Sequence, residues 1–492
     1  FPITPGAFDS TLGNGSIVSV FNNRGDSLKF STRFPGVLDR RVAIILESGD
    51  VITAGYSFGN IPMFSNSYQK TISGGNYDAF IARIKFDGKS LINATYLGGS
   101  SDDFIWDIAI NIKEDVYVVG STKSHDFPVA ASNNTFKNFH GGVYDGFLTK
   151  LDSKLSKVIF SNLIGGKGDE EIQSVFVNSN EDIYIAGNSN SNDFPISLYP
   201  KPVQSKLAGR MDLVAMKFFP NGANYRYSTY LGGSADEKFN LWFSRPVQIA
   251  ATIKDEAIIT GMTYSMDFPV TSDALQSTKK SKDTSSSCIT LTKLSPLGDK
   301  LIYSSYLGGS GVEILSASKV KRSRCIMNIA VAGISRSPDF PTTKGAVYSN
   351  PPSDSLFGKN INYSVGFISK FSDTLKIEKP NFGNTIKTRC NDFFEVLDGL
   401  NQGAYRRWSN GDSTQFLLVN KAGSYWVEAT YGCDTIRDSI TIINPINKAN
   451  FSISDTSACL KGNTFRFKET TQFLGTKRKE SICIFDDSIR LT

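Results

Sequence analysis

The chain has 492 residues, more than a single hydrophobic core usually holds, so we expect several domains or one long array of repeats. Its 53 basic and 47 acidic residues are scattered along the whole length, and the formal net charge of +6 therefore indicates a mixed solvated surface rather than a stripe for nucleic acid. No apolar run is long enough to span a bilayer, whereas 42 glycines and 35 phenylalanines favour many turns and strands.

The first predicted elements belong to a repeat whose first copy, over residues 17–55, is the least regular. The opening segment 1–8 resembles segment 340–347, which follows a later copy of the same repeat. The chain therefore begins inside a repeat, and we expect further sequence, including any signal peptide, before its first residue.

The second copy shows the unit most clearly. Its predicted strands are residues 80–86, 91–97, 108–112 and 116–120. In the first of these, Phe80, Ala82 and Ile84 alternate with other residues at a period of two, which indicates a half-buried strand. Asp87-Gly88 predicts the turn that follows. The same four strands recur within residues 147–187, 214–261 and 290–333.

Two short phrases mark the copies. Tyr-Leu-Gly-Gly-Ser occurs at residues 96–100, 230–234 and 306–310, with a degenerate copy at 163–167. Ser-x-Asp-Phe-Pro occurs at residues 124–128, 191–195, 265–269 and 337–341. We interpret both as structural: pairs such as Gly98-Gly99 permit positive φ at a bend, and Asp126 accepts backbone N–H groups in an Asx turn.

Two further predicted strands, 367–371 and 375–379, end the array and bring the total to twenty-two strands. Four antiparallel strands per repeat, with neighbouring repeats covering one another's apolar faces, predict an all-β fold with a β-propeller over residues 1–379. A solenoid is the alternative, although its repeats are usually shorter. Because a propeller must close, the unfinished last unit again predicts sequence missing before the first residue.

Together, Tyr-Leu-Gly-Gly-Ser, the strand at 116–120 and Asp-Phe-Pro resemble the SBBP family of bacterial β-propeller repeats over about the first 380 residues. The resemblance implies that the strand at 108–112 lies nearest the central axis and that the Tyr-Leu-Gly-Gly strand lies at the outer edge. It also implies a secreted or surface-exposed bacterial protein from a family without an established enzymatic activity.

The linkers after Asp-Phe-Pro are long and join equivalent strands, so we expect all of them on one rim, the default binding surface of a repeat protein. They span residues 129–144, 196–211, 270–287 and 342–365.

The repeat phrases disappear after Pro380, where a second region begins. Residues 380–446 contain five short alternating strands and resemble the Ig-like β-sandwich modules of proteins secreted by gliding Gram-negative bacteria. Residues 447–492 are similar to the opening strands of a PKD-like β-sandwich, but they are too few to bury a core alone. Cys390 and Cys433 bracket the Ig-like module and are the candidates for a disulfide in an oxidising compartment.

Residues suited to catalysis or metal binding are few. The chain has two histidines: His125 fills the variable position of Ser-x-Asp-Phe-Pro, and His140 lies in a linker. No nucleophile elbow, phosphate loop or zinc motif occurs. Paired acids at 102–103, 169–170 and 236–237 follow the glycine pairs, and Val312-Glu313 breaks the pairing. Calcium is conceivable there, but a solvated turn is the simpler interpretation. The sequence thus predicts no catalytic residue and no metal ligand. It predicts no cofactor either, apart from the calcium that is conceivable at the paired acids.

These features favour a noncatalytic extracellular or cell-surface protein whose propeller and sandwich modules act in adhesion, polymer binding or display. The expected partner is a surface polysaccharide or a protein, and not a nucleic acid. Two alternatives stay open. One is a propeller-type polysaccharide lyase or hydrolase with acids around the axis, and the other is a calcium-stabilised structural surface protein.

Overall fold

The structure is a computed structural model. It describes residues 2–11, 16–59, 61–130, 136–237, 247–323, 326–346, 365–374, 382, 386–388, 394–399, 404–430, 435–443, 451–453 and 467–469. These residues contain β-strands and no α-helix, so the fold is all-β. The described part of the chain has no helix of the length and hydropathy that a membrane crossing requires. The chain forms two compact units: Phe1–Lys321 with Asn328–Ser372, and Arg322–Met327 with Asp373–Thr492.

The strands of the repeat array are β1 Ser16–Phe21, β2 Leu28–Phe34, β3 Val37–Ile45, β4 Val51–Ser57, β5 Asp78–Ile84, β6 Leu91–Leu97, β7 Asp103–Ile110, β8 Val116–Thr122, β9 Asp145–Leu151, β10 Val158–Ile164, β11 Glu170–Val177, β12 Ile183–Ser189, β13 Asp212–Phe218, β14 Tyr225–Leu231, β15 Gln248–Ala251, β16 Ala257–Thr263, β17 Cys288–Leu294, β18 Leu301–Leu307, β19 Glu313–Ser323, β20 Ile326–Ser335 and β21 Val365–Thr374. Those that follow are β22 Ile386–Thr388, β23 Glu395–Asp398, β24 Tyr405–Trp408, β25 Phe416–Val419, β26 Gly423–Thr430, β27 Thr435–Ile443, β28 Phe451–Ile453 and β29 Phe467–Glu469. The predicted strand 375–379 lies outside the described residues.

Four antiparallel sheets of four strands form most of the first unit: β3–β6, β7–β10, β11–β14 and β15–β18. A two-stranded sheet, β1–β2, precedes them, and a three-stranded sheet, β19–β21, follows. The first strand of each four-stranded sheet packs beside the first strand of the next, so β7 lies between β3 and β11, and β11 also contacts β15. The fourth strand is an edge. Sheets that meet through their first strands are arranged like the blades of a propeller.

The strands of these sheets are buried on both faces, whereas the alternation of the sequence predicts strands that are buried on one face only. In β5 every residue except Arg83 is buried, and Phe86, expected at the end of the strand, lies beyond it and is 56% exposed. Phe80 packs in one hydrophobic cluster and Ile81 in another, because a neighbouring sheet covers each face of β5. The prediction of a half-buried strand over 80–86 is therefore wrong.

The two recurring phrases are the halves of one contact between successive sheets. The Asp126 carboxylate accepts the backbone N–H of Ser100 at 2.8 Å, and the Ser124 hydroxyl oxygen accepts the N–H of Ser101 at 2.9 Å. The other copies repeat the aspartate contact, with Asp193 to Lys167 N at 2.8 Å, Asp267 to Ser234 N at 2.8 Å and Asp339 to Ser310 N at 2.7 Å. Asp126 therefore caps a segment 26 residues away rather than a local Asx turn.

The glycine pairs have a different purpose from the one expected. Glycines with positive φ include Gly88 and Gly222 but neither Gly98 nor Gly99. A Cβ on Gly98 would lie 2.5 Å from Asp103 Oδ2, and a Cβ on Gly99 would lie 2.5 Å from Asp126 Oδ1. The expectation of positive φ is wrong, because these positions need glycine to make room for the neighbouring carboxylates, of which Asp103 is buried and Asp126 is exposed.

Each long linker begins at the end of a second strand, and each glycine pair lies beside that end, where the chain passes to the next sheet. The linkers and the glycine pairs therefore lie on one edge of the first unit, which we call the linker rim. On the opposite edge a basic residue of the third strand bridges two turns in three of the four-stranded sheets, and these residues are Arg83, Lys150 and Lys217. Lys150 Nζ lies 3.1 Å from Asp115 Oδ2 and 3.4 Å from Glu181 Oε2 of the next sheet. Arg83 bridges Asp50 and Glu114 in the same way. These ion pairs tie neighbouring sheets together.

The second unit contains a four-stranded sheet, in the order β22-β27-β26-β24, and a two-stranded sheet, β23–β25. Both sheets pack around Trp408, whose indole N–H donates to the Thr414 carbonyl at 2.8 Å. Strands β23 to β27 lie close to the five predicted ones, while the Ig-like topology stays a prediction. Strands β28 and β29 pair with each other, and most of the PKD-like segment lies outside the described residues. Cys390 and Cys433 also lie outside them.

Candidate functional site

One junction between sheets departs from the repeat on the linker rim. In the first four-stranded sheet, the penultimate residue of the second strand is Tyr56. The same position in the next three sheets holds Ser121, Asn188 and Met262. The second residue of the following first strand is Phe104 at this junction and Glu171 at the next. Since repeated residues are explained by packing, the residues that break the repeat are the candidates for function.

Five aromatic side chains meet at this junction, and we call them the aromatic strip: Tyr56, Phe58, Tyr77, Phe104 and Trp106. The ring centroids of Phe58 and Tyr77 lie 4.7 Å apart, those of Tyr77 and Tyr56 5.3 Å, and those of Tyr56 and Phe104 5.1 Å. The Phe104 and Trp106 rings are parallel within 8° at 5.5 Å. The strip therefore crosses the rim from the linker at Phe58 to the first strand at Trp106.

A β-bulge positions the inner end of the strip. The register of β7 on β8 shifts between Ile105 and Asp107, so Trp106 is the extra residue. Its indole N–H donates to the Ser121 hydroxyl at 2.8 Å, which fixes the ring plane. Strand β11 has the same register shift at Gln173, so the bulge belongs to the repeat, and the tryptophan is what distinguishes this junction. The outer end is open, because Phe58 is 63% exposed.

A charged pair borders the strip. Lys123 Nζ lies 2.9 Å from Asp102 Oδ2 and 5.1 Å from the centre of the Tyr144 ring. The other Asp102 oxygen accepts the N–H of Asn76 at 2.7 Å, next to Tyr77. The hydrogen bond to Asp102 raises the pKa of Lys123, so the lysine stays charged. The strip therefore has hydrogen-bonding groups along one side.

His140 occupies a place that glutamine fills in other copies. Its Nδ1 lies 3.1 Å from Asp145 Oδ2, which also accepts the His140 backbone N–H at 2.7 Å. At the equivalent aspartate in the third four-stranded sheet, Asp212, the side-chain donor is Gln204 Nε2 at 2.7 Å. Asp145 is fully buried, whereas 27% of the His140 side chain is exposed. A buried carboxylate that holds a partly exposed imidazole is an arrangement suited to general-base chemistry.

The first strands carry the acids that the enzyme alternative expects near the axis. Asp107 Oδ2 accepts the Ser174 hydroxyl at 2.9 Å and the Val175 N–H at 3.0 Å, while Ser174 Oγ accepts the Ile249 N–H at 3.1 Å. Asp107 therefore ties β7 to β11, and Ser174 ties β11 to β15. The other histidine, His125, is exposed and stacks on Phe139 at 4.2 Å.

The paired acids after the glycine pairs divide into two structural roles. The first member, such as Asp102 or Asp169, accepts backbone N–H groups of the preceding linker. The second member is fully buried and accepts the N–H of the second glycine, as Asp103 does from Gly99 at 2.8 Å. Glu313 retains this second role, since it accepts the N–H of Gly309 at 3.3 Å. Val312 therefore replaces only the first member of the pair, and the role of the second member is kept.

Metal coordination has no candidate cluster in the described residues, because no three His, Cys, Asp or Glu side chains converge there. Cys288, the cysteine that the structure places, is a buried free thiol.

The sequence analysis did not predict the aromatic strip. Its members come from β4, β7 and the linker at residues 58–77, so nothing in the local sequence groups them. The signal that could have found them is aromatic residues at positions where other copies carry polar ones, such as Trp106 against Gln173.

No family model and no curated protein sequence matches this chain. Among solved structures, a protein of unknown function from Dyadobacter fermentans is 10% identical with a TM-score of 0.34, covering 82% of this chain and 96% of that one. A polysaccharide lyase, ulvan lyase, is 11% identical with a TM-score of 0.34, covering 85% and 88%. A β-xylosidase/α-arabinofuranosidase from a compost microbial metagenome, in complex with xylotriose, is 8% identical with a TM-score of 0.28, covering 68% and 90%.

Proposed function

We propose that this protein binds a polysaccharide through the aromatic strip and that its first unit is a noncatalytic β-propeller scaffold. The observation that carries the proposal is five aromatic rings in mutual contact on the linker rim, at positions where the neighbouring junction carries Ser121, Lys123, Tyr144, Glu171 and Gln173. Four of these five neighbouring positions are polar and not aromatic, so the rings are particular to this junction.

A sugar is the ligand that best matches the strip. Pyranose rings present a face of C–H groups and an edge of hydroxyl groups. The C–H face is attracted to the negative face of an aromatic ring, and the hydroxyl edge requires hydrogen-bonding groups beside it. The Asp102 and Lys123 side chains supply such groups next to Tyr77. A linear polymer suits a strip that extends from Phe58 to Trp106.

Affinity electrophoresis in gels that contain one polysaccharide each tests the proposal. At least one polysaccharide is expected to retard the wild type, and Phe58→Ala should weaken that retardation about tenfold because Phe58 is the most exposed ring of the strip. Phe86→Ala is the matched control, since Phe86 is 56% exposed at the opposite edge. Equal loss in both variants, or no retardation by any polysaccharide, would contradict the proposal.

The setting that we propose for this binding is outside a bacterial cell. It is supported by the resemblance of the two phrases to SBBP repeats and of the second unit to Ig-like and PKD-like modules of secreted proteins. In this setting the second unit displays the propeller or joins it to other modules. A surface polysaccharide is then the expected partner.

A second candidate function is cleavage of the bound polysaccharide, by a lyase or a hydrolase. The contact of His140 with Asp145 favours it, because Asp145 can keep the proton on Nδ1 and leave Nε2 as the base. Both functions require the polymer to lie on the linker rim.

Release of reducing ends or of unsaturated sugars from a retained polysaccharide tests this second candidate. If the protein is an enzyme, His140→Ala should lower turnover about a hundredfold or more, in the range of lost general-base catalysis. His125→Ala, which changes the other histidine of the chain, should leave turnover unchanged. Retention of the polymer without release of any product would reject cleavage while keeping the binding function.

A further inference from the structure

Three neighbouring junctions each bury two carboxyl groups beneath the linker rim. The pairs are Asp78 with Asp103, Asp145 with Glu170, and Asp212 with Glu237, and all six residues have no exposed surface. In every pair the first residue of a third strand meets the acid that lies five residues after the first glycine of the following glycine pair. A Cβ on Gly232 would lie 2.6 Å from both Asp212 Oδ1 and Glu237 Oε2. The two carboxyl groups of a pair therefore flank the same glycine Cα.

Each pair contains at least one buried carboxylate oxygen without a hydrogen-bond donor among the described residues. Glu237 Oε1 accepts the hydroxyls of Thr263 at 2.8 Å and Ser265 at 2.5 Å and the Gly233 N–H at 3.2 Å. Glu237 Oε2 has no donor among the described residues. The same holds for Asp78 Oδ1, Asp103 Oδ1 and Asp145 Oδ1. Buried polar atoms without a partner are costly, and one proton held between the two carboxyl groups supplies the missing hydrogen bond.

The pKa values agree with a retained proton. Burial, followed by the charge of Asp212, raises the pKa of Glu237 to about 9. Burial raises the pKa of Asp103 and of Glu170 to about 7, and that of Asp78 to about 6. Two carboxylates in one buried site cannot both ionise without large repulsion.

The fourth junction contains a natural substitution of the pair. Cys288 stands at the position of Asp78, Asp145 and Asp212, and a Cβ on Gly308 would lie 2.5 Å from Glu313 Oε2 and 2.7 Å from the Cys288 sulfur. Burial raises the pKa of Cys288 to about 12, so the thiol is neutral. This junction therefore holds no more than one negative charge.

We propose that each of the three pairs holds one proton at neutral pH, so that the junctions of the first unit, including the one beneath the aromatic strip, weaken as the medium becomes alkaline. Asp78 directly follows Tyr77 in the chain, and Asp103 directly precedes Phe104. Ionisation of this pair would therefore disturb two residues of the aromatic strip. The pairs thus act as a pH-sensitive support of the linker rim.

Other titratable groups face the pairs. They are Asp102, Asp126 and Tyr96 around the first pair, His140 and Tyr230 around the second, and Tyr230 and Tyr306 around the third. The folded protein keeps protons that the unfolded chain releases above pH 4, so the free energy of unfolding falls as pH rises from about 4 to about 9. Carboxylates with lowered pKa, such as Asp267, oppose this trend only below about pH 4.

Urea unfolding of the full chain between pH 5 and pH 9 tests the proposal. The wild-type folding equilibrium constant should fall at least about tenfold across this range, because one retained proton accounts for up to tenfold per pH unit. Glu237→Gln should flatten the dependence and unfold at higher urea than the wild type at pH 9, since the amide carries its hydrogen permanently and keeps an oxygen for Gly233.

Asp267→Asn is the matched control at the same junction. Asp267 accepts the N–H of Ser234 at 2.8 Å, and that hydrogen bond lowers its pKa. The loss of this charge should lower the urea midpoint at every pH in the range and leave the slope unchanged. A wild-type stability that rises with pH, or a Glu237→Gln variant that is unfolded or less stable than the wild type at pH 9, would overturn the proposal.

Discussion

Gly120→Ala is expected to lower the free energy of unfolding by about 3 kcal/mol, the largest stability effect that we predict for a single methyl group. A Cβ at this position would lie 1.9 Å from the Phe104 carbonyl oxygen and 2.5 Å from the Phe147 ring. The carbonyl is this close because the bulge at Trp106 presses the backbone of β7 against β8. Strand β8 must therefore move or the bulge must open, and we expect polysaccharide binding to weaken as well.

Two other glycine substitutions make this prediction specific. At Gly261 the nearest atom to an added Cβ is a side-chain atom of Leu213, at 2.5 Å, which can move more easily than backbone. At Gly366 nothing lies nearer than 4.0 Å, so alanine should change stability by about 0.5 kcal/mol or less. Chemical unfolding should therefore rank Gly120→Ala as the most harmful, then Gly261→Ala, then Gly366→Ala. A Gly120→Ala protein as stable as Gly366→Ala would contradict the described bulge.

Trp106→Ala should have the largest effect on binding, a loss of about 30-fold to 100-fold in affinity for a retained polysaccharide, because one well-placed aromatic anchor contributes about 2–3 kcal/mol. Trp106 is the ring that the bulge positions and that Ser121 fixes through the indole N–H. Its loss removes the partner of Phe104 as well as a surface for the sugar.

Isothermal titration calorimetry with an oligosaccharide of that polysaccharide measures this effect. Trp426→Ala is the matched control, since Trp426 is also partly exposed but packs against Arg437 in the second unit. Trp426→Ala should bind as the wild type does. Equal affinities of Trp106→Ala and the wild type would place the sugar elsewhere.

The sequence was most informative where structure is local and repeated. Strand β8 begins at Val116 as the alternation predicts, and the chain passes from one sheet to the next at Gly98-Gly99 as the phrase comparison predicts. Both follow from short segments whose apolar period and turn residues are decided by near neighbours. Repetition then multiplies each local signal.

What the sequence could not give depends on segments that meet only after folding. The partner of Asp126 is Ser100, in a different phrase, so a local turn was the natural but wrong interpretation. The burial of Asp78 beside Asp103 has the same origin, because the two residues belong to different sheets. The aromatic strip was hidden for a further reason: one Trp106 in a series of copies looks like ordinary variation until the bulge and the ring contacts are seen.

A crystal structure of the protein with an oligosaccharide of the retained polysaccharide tests most directly whether the aromatic strip is a sugar-binding surface. We predict sugar rings in contact with the strip, with ring carbons within about 4.5 Å of the Phe104, Trp106 or Tyr77 rings. Hydroxyl groups should face Asp102 or Lys123. An oligosaccharide bound elsewhere, with the strip left bare at saturating ligand, would contradict the account.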